Sequence, residues 1–166
     1  MLGTRRKPFQ DSPTPAGNSV ASIDLTRLYE YTNDSSYREK AQQTLEILAG
    51  VAGQYGLFAA TYGIAAVHFS QPHIQVVILE EENSGNELRR AAIESFGLNK
   101  AVISMDHSKA VAPNLPPALA ATIPNLPPSH GTKSVAIVCS GFTCLPSISG
   151  VEELRRVIAQ QVRVQG

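Results

Sequence analysis

The chain has 166 residues, 14 Lys+Arg against 14 Asp+Glu, and a charged fraction of 17%, well under the roughly 25% of an average globular domain. That length suits about one domain able to bury a core without disulfides or metal. Zero net charge excludes the Lys/Arg excess of a nucleic-acid groove or a polybasic membrane face, and 43% hydrophobic residues with two Cys exclude a disordered tail and a disulfide scaffold.

Residues 1–16 read as an extended segment punctuated by Pro8, Pro13 and Pro15. Its basic residues lack the apolar stretch of a secretory signal, so a reducing cytoplasm is the expected compartment. Residues 17–70 form a helical region free of proline. A turn ending in Asn18 or Ser19 supplies an N-cap, and Val20, Ile23, Leu28 and Tyr31 follow at roughly helical spacing. Asn33-Asp34-Ser35-Ser36 breaks that helix, and Ser36 with Glu39 has the spacing of a capping box for the next. Tyr37, Ala41, Leu45, Leu48 and Ala52 then mark one face. A third helix runs from about Leu57 to Phe69 inside a stretch, Ile47 to Leu79, that holds no Asp, Glu, Lys or Arg. Its densest part, Leu57 to Val67, is about half the ~20 residues of a membrane span, so no membrane is expected. Short joints make these helices antiparallel hairpins.

After Pro72 the period changes. Gln75 to Leu79 is an apolar β run of the kind covered on both faces. Glu87 to Phe96 reads as a helix with Leu88, Ala91, Ala92 and Ser95 inward, stopped by Gly97. Ala101 to Met105 is a second strand, which makes a βαβ unit and implies parallel pairing. A connector over 110–132, again uncharged, carries Asn-Leu-Pro-Pro twice and reads as a short helical turn between extended ends on the surface. Ser134 to Cys139 is a third strand, and Glu152 to Val162 a closing amphipathic helix with Leu154, Val157, Ile158 and Gln161 on one face. The expected class is α+β, with N-terminal helical hairpins over 17–70 and a small three-stranded α/β unit with a βαβ motif over 73–162.

Few residues offer chemistry. Cys139 and Cys144 are separated by four residues, not the two of a thioredoxin motif. Two reduced thiols at a strand end and a turn are the plainest reading; a redox pair, or half of a zinc site, are the alternatives. The loop Glu80 to Asn86 follows a strand and opens a helix, where α/β folds bind anions. It has no phosphate-binding motif, however, and three consecutive glutamates repel phosphate. Asp106-His107 with Ser104 or Ser108 has the types of a nucleophile and base without a nucleophile elbow. Tyr29, Tyr31, Tyr37, Tyr55, Phe58, Tyr62 and Phe69 are core aromatics or a sugar-stacking wall. No catalytic residue, cofactor or metal is expected from these patterns.

Three segments, Lys7 to Ala21, Tyr55 to Tyr62 and Cys139 to Pro146, resemble in order and spacing the C-terminal end of the spermatogenesis-associated protein 20-like, thioredoxin-domain family. The resemblance spans about residues 7–160. It implies that 17–69 are the last helices of an (α/α)₆ toroid similar to six-hairpin glycosidases, and that 73–160 are its α/β tail. The family's thioredoxin-like domain, its redox cysteines and most of the toroid cavity have no counterpart in this sequence. The resemblance therefore implies a non-catalytic C-terminal segment that packs on a helical partner, on the missing N-terminal part of such a protein, or on itself. The alternatives are a small redox or ligand-binding module using Cys139 and Cys144, or part of a carbohydrate-active toroid.

Overall fold

The computed structural model describes residues 9–80, 87–125, 134–141 and 143–164. The chain divides into a helical unit, up to Gln71 apart from Glu30–Asn33, and an α/β unit made of Glu30–Asn33 and everything from Pro72.

In the helical unit α1 (Gly17–Thr32), α2 (Ser35–Ala52) and α3 (Ala60–Ser70) follow in order, with a 3-10 turn at Gly56–Ala59 before α3. Asn33, at φ +54°, ends α1. Asp34, rather than Ser36, caps α2: its Oδ1 accepts from the Ser36 N–H at 2.9 Å. A carboxylate there also meets the positive end of the helix dipole. The start of α1 is held neither by Asn18 nor by Ser19. Asp11 Oδ1 accepts from the Ala16 N–H at 2.7 Å, one residue before the helix.

The buried face of α1 also differs from the expected one. Ser19, Ser22 and Thr26 are buried, while of the expected face Val20, Leu28 and Tyr31 are exposed and Ile23 is half-buried. Ser22 Oγ donates to the Asn18 carbonyl at 3.0 Å and Thr26 Oγ1 to the Ser22 carbonyl at 2.8 Å. Those two hydroxyls enter a dry environment with their hydrogen bonds already made inside their own helix, which lowers the cost of burying them, whereas Ser19 Oγ is buried without a hydrogen-bond partner among the described residues. On α2 the expected face holds, with Ala41 and Leu45 buried and Tyr37, Leu48 and Ala52 half-buried.

In the α/β unit β1 (Ile74–Glu80), β2 (Lys100–Asp106), β3 (Val135–Ser140) and β4 (Thr143–Cys144) make one sheet in the order β2-β1-β3-β4. β1 and β2 are parallel, as a helical crossover requires, with Val77 opposite Ile103. β3 runs antiparallel to β1 with Val77 opposite Ile137, and β4 extends the sheet by two residues. The period of two sorts β1 onto two cores. Ile74, Val76 and Ile78 meet α4 (Glu87–Glu94) and α6 (Val151–Val164) through Leu88, Ala91, Ala92, Leu154 and Ile158. Val77 and Leu79 meet Leu115, Leu119 and Ile123.

Those last three belong to the proline-rich connector, where α5 is one turn over Pro117–Ala120. The connector is therefore not a surface strap but the cover of the second sheet face. Leu115, Leu119 and Ile123 recur every fourth residue, so one side of the turn presents all three to the sheet. The chain beyond α4 is drawn in by Lys100, whose Nζ donates to the carbonyls of Ala92 and Ser95. A cation on the last carbonyls of a helix stabilises its negative end. Gly97 is small for a reason: a Cβ there would meet Lys100 Cβ at 3.1 Å and Val162 Cγ2 at 3.2 Å. Glu94 joins the two helices of that face, accepting from Arg90 Nε at 2.7 Å and Arg155 Nη2 at 2.8 Å.

Candidate functional site

Cys139 and Cys144 stand opposite each other at the end of β3, because the chain reverses just beyond Ser140. Gly141 takes φ +59°, a left-handed conformation that costs glycine nothing. Leu145 N–H donates to the Val138 carbonyl at 2.9 Å, so by the alternation of an antiparallel ladder Cys139 and Cys144 form a non-hydrogen-bonded pair. Side chains of such a pair lie closest to each other. The two Cα atoms are 4.0 Å apart and the sulfurs are joined in a disulfide. Two reduced thiols, the plainest sequence reading, are thus replaced by a bond across a tight hairpin. Sequence spacing of five was the available signal: it is the separation of the second residue pair across a two-residue turn.

The two sulfurs differ in surroundings. Cys139 is fully buried in the core under the connector, whereas Cys144 is half-buried on β4. On the opposite, α6 side of the same strands lies a cavity of about 80 Å³, lined by Val138, Cys139, Ser140, Thr143, Leu145 and Gln161. Small-molecule sites occupy about 300–1,000 Å³, so this space suits a few waters or a side-chain movement rather than a substrate.

No family model and no solved structure matches the chain. Over 150 residues it is 23% identical to the uncharacterized protein B0495.5 of Caenorhabditis elegans, a match that takes in 89% of this chain. The chain spans about a fifth of the length of that relative, 20%.

The remaining candidates are not brought together. Ser104 Oγ donates to Glu80 Oε2 at 2.8 Å, and Asp106 Oδ2 pairs with Lys109 Nζ at 2.7 Å. Both contacts direct these groups away from a serine–base–acid relay. Glu80 also meets Arg89 Nε at 3.5 Å, while Glu81 to Asn86 lie outside the described residues. Among the described residues no group of three or more His, Cys, Asp or Glu is placed to hold a metal, and no helix is long and apolar enough to cross a membrane.

The aromatic residues of the helical unit form two groups rather than one wall. Phe9 packs edge-on against Tyr55 and Tyr62, at 5.0 and 5.7 Å between centroids. Arg38 lies over Phe69 at 4.4 Å and Tyr29 at 5.5 Å, a cation–π arrangement that occupies the faces a sugar would use. Tyr31 and Phe58 are exposed.

Sequence reasoning missed Asp11. Besides Ala16, its carboxylate accepts from the Thr61 N–H at 2.8 Å, in the first turn of α3, and its own N–H donates to the Phe58 carbonyl at 2.8 Å. One residue thus ties the extended N-terminal segment to the starts of two helices. The Thr61 and Ala16 amides hold its carboxyl below the ordinary carboxylate range, since amides that point at a charge favour it.

Proposed function

We propose that this chain is a non-catalytic part of a longer cytoplasmic protein, and that its helical unit packs on helical partner regions. One observation carries the reading. Several large apolar side chains of α2, the 3-10 turn and α3 face outward: Ile47 is 79% and Leu57 90% exposed, with Phe58, Ile64 and Val67 also exposed. They fall in the charge-free stretch from Ile47 to Leu79. Exposed large apolar side chains concentrated in one unit are a mark of an interaction site, and Ile64 with Val67 has the helical spacing that meets another helix. A groove of about 230 Å³ between α2 and α3, lined by Leu45, Ala49, Tyr62, Ala66 and Phe69 with Gln42 and Glu46, adds a seat on the same pair of helices. Similarity to a relative five times as long agrees with a partner elsewhere in one polypeptide. The thioredoxin-domain and toroid family supplies such a partner in this proposal, as the preceding helices of an (α/α)₆ ring.

Purified 166-residue chain tests it. Sedimentation and binding of an apolar dye should show self-association or strong dye binding, and Leu57→Ser with Ile64→Ser should reduce both. A compact monomer that binds no dye overturns the proposal.

A further inference from the structure

We propose that the Cys139–Cys144 disulfide is a thiol-exchange site for dithiols, entered at Cys144, whose opening releases β4 and the segment after it. Two features support a bond that opens without unfolding the domain. It closes a short ring, with a sequence separation of five, inside a hairpin that antiparallel pairing already holds. It sits at the end of the sheet, where β4 is two residues long. Access then sets the order, because exchange needs an attacking thiolate to reach a sulfur. Cys144 is half-buried and Cys139 fully buried.

One thiolate of the dithiol attacks Cys144 Sγ. The S–S bond breaks, and Cys139 Sγ leaves with the electron pair and takes a proton from water. The second thiol of the reagent, deprotonated, then attacks its own sulfur of the mixed disulfide and expels Cys144 as a thiolate. Two electrons pass from the dithiol, which becomes a cyclic disulfide, to the protein, which becomes a dithiol. The structural consequence runs down the chain. The Leu145–Val138 hydrogen bond and the Ile148–Ala136 bridge lose the covalent anchor that precedes them at Cys144, in a segment that leads directly into α6.

The full chain, purified in air, is titrated with dithiothreitol under native conditions, alkylated and weighed, with circular dichroism and hydrogen exchange in parallel. The expected result is no alkylation before reductant and double alkylation after it. Helix and sheet signal should be retained, with faster exchange confined to residues 143–148. Free thiols before reductant, reduction only in denaturant, or loss of the folded signal on reduction each overturn the proposal. Single-thiol variants read the order of attack. Cys139→Ser, which leaves Cys144, should react with an aromatic disulfide at least about tenfold faster than Cys144→Ser, since accessibility governs thiol reactivity. Equal rates or the reverse order overturn entry at Cys144.

Discussion

Burial in the helical unit rests on small and polar side chains, among them Ala16, Ser19, Ser22, Thr26, Ala41 and Ala65. In the α/β unit it rests on Ile, Leu and Val packed against both faces of a sheet. The α/β unit exposes apolar groups too, chiefly Ile93 and Phe96 at the end of α4, but its large side chains are mostly inside. The helical unit turns most of its large ones out. The contrast teaches that apolar content alone does not make a self-sufficient core; what matters is whether a second layer exists to receive it. A sheet with a helical layer on one face and a connector on the other has both. Helices that bury serine and threonine leave several leucine and isoleucine side chains exposed.

The strongest way to break this comparison is to empty the core under the connector. Leu119 is fully buried against Val77 and Ile137, and Leu119→Ala should cost about 2–5 kcal/mol in urea unfolding, the usual range for a leucine removed from a packed site. A cost under about 1 kcal/mol would return the connector to the surface role that its prolines suggest.

A smaller effect should follow from Asp11→Asn, read by tyrosine fluorescence. Of the five Tyr, all but Tyr31 lie in the helical unit, and the chain has no Trp, so this signal reports mainly that unit. Because the folded-state pKa of Asp11 lies below its ordinary value of 3.8, its contribution is present above that value and fades as pH falls through the lower folded one. The wild-type helical unit should therefore lose stability on acidification over that window, and the Asn variant should lose less. Identical acid profiles would show that the carboxylate does not staple the two helix starts.

The smallest change in stability is expected at Leu57, 90% exposed. Leu57→Ser should alter unfolding by no more than about 0.5 kcal/mol, as for most exposed positions, while lowering association. A large loss of stability would instead place Leu57 in the core of the unit.

Element positions were largely legible in sequence. The βαβ unit, its parallel pairing and the inward Leu88, Ala91, Ala92, Leu154 and Ile158 follow from periods of two and 3.6, which local stereochemistry imposes. The caps were less legible. Asp34 is adjacent in sequence to the helix it caps, yet Ser36 with Glu39 offered a competing pattern. Asp11 serves Thr61 from fifty residues away, a pairing no local window contains. The disulfide was legible only as a spacing, since whether two cysteines face each other depends on where the hairpin turns.

By itself the sequence determined the order and type of the elements, the absence of charge from two long stretches, and a cysteine pair at one strand end, because these depend on composition and neighbours. Tertiary structure alone decided that α1 buries Ser19, Ser22 and Thr26 while Val20 and Leu28 stay exposed, that a proline-rich connector closes the second face of the sheet, and that Cys139 meets Cys144. Each of those depends on which surfaces remain to be covered once the sheet has formed, and that is a property of the whole chain.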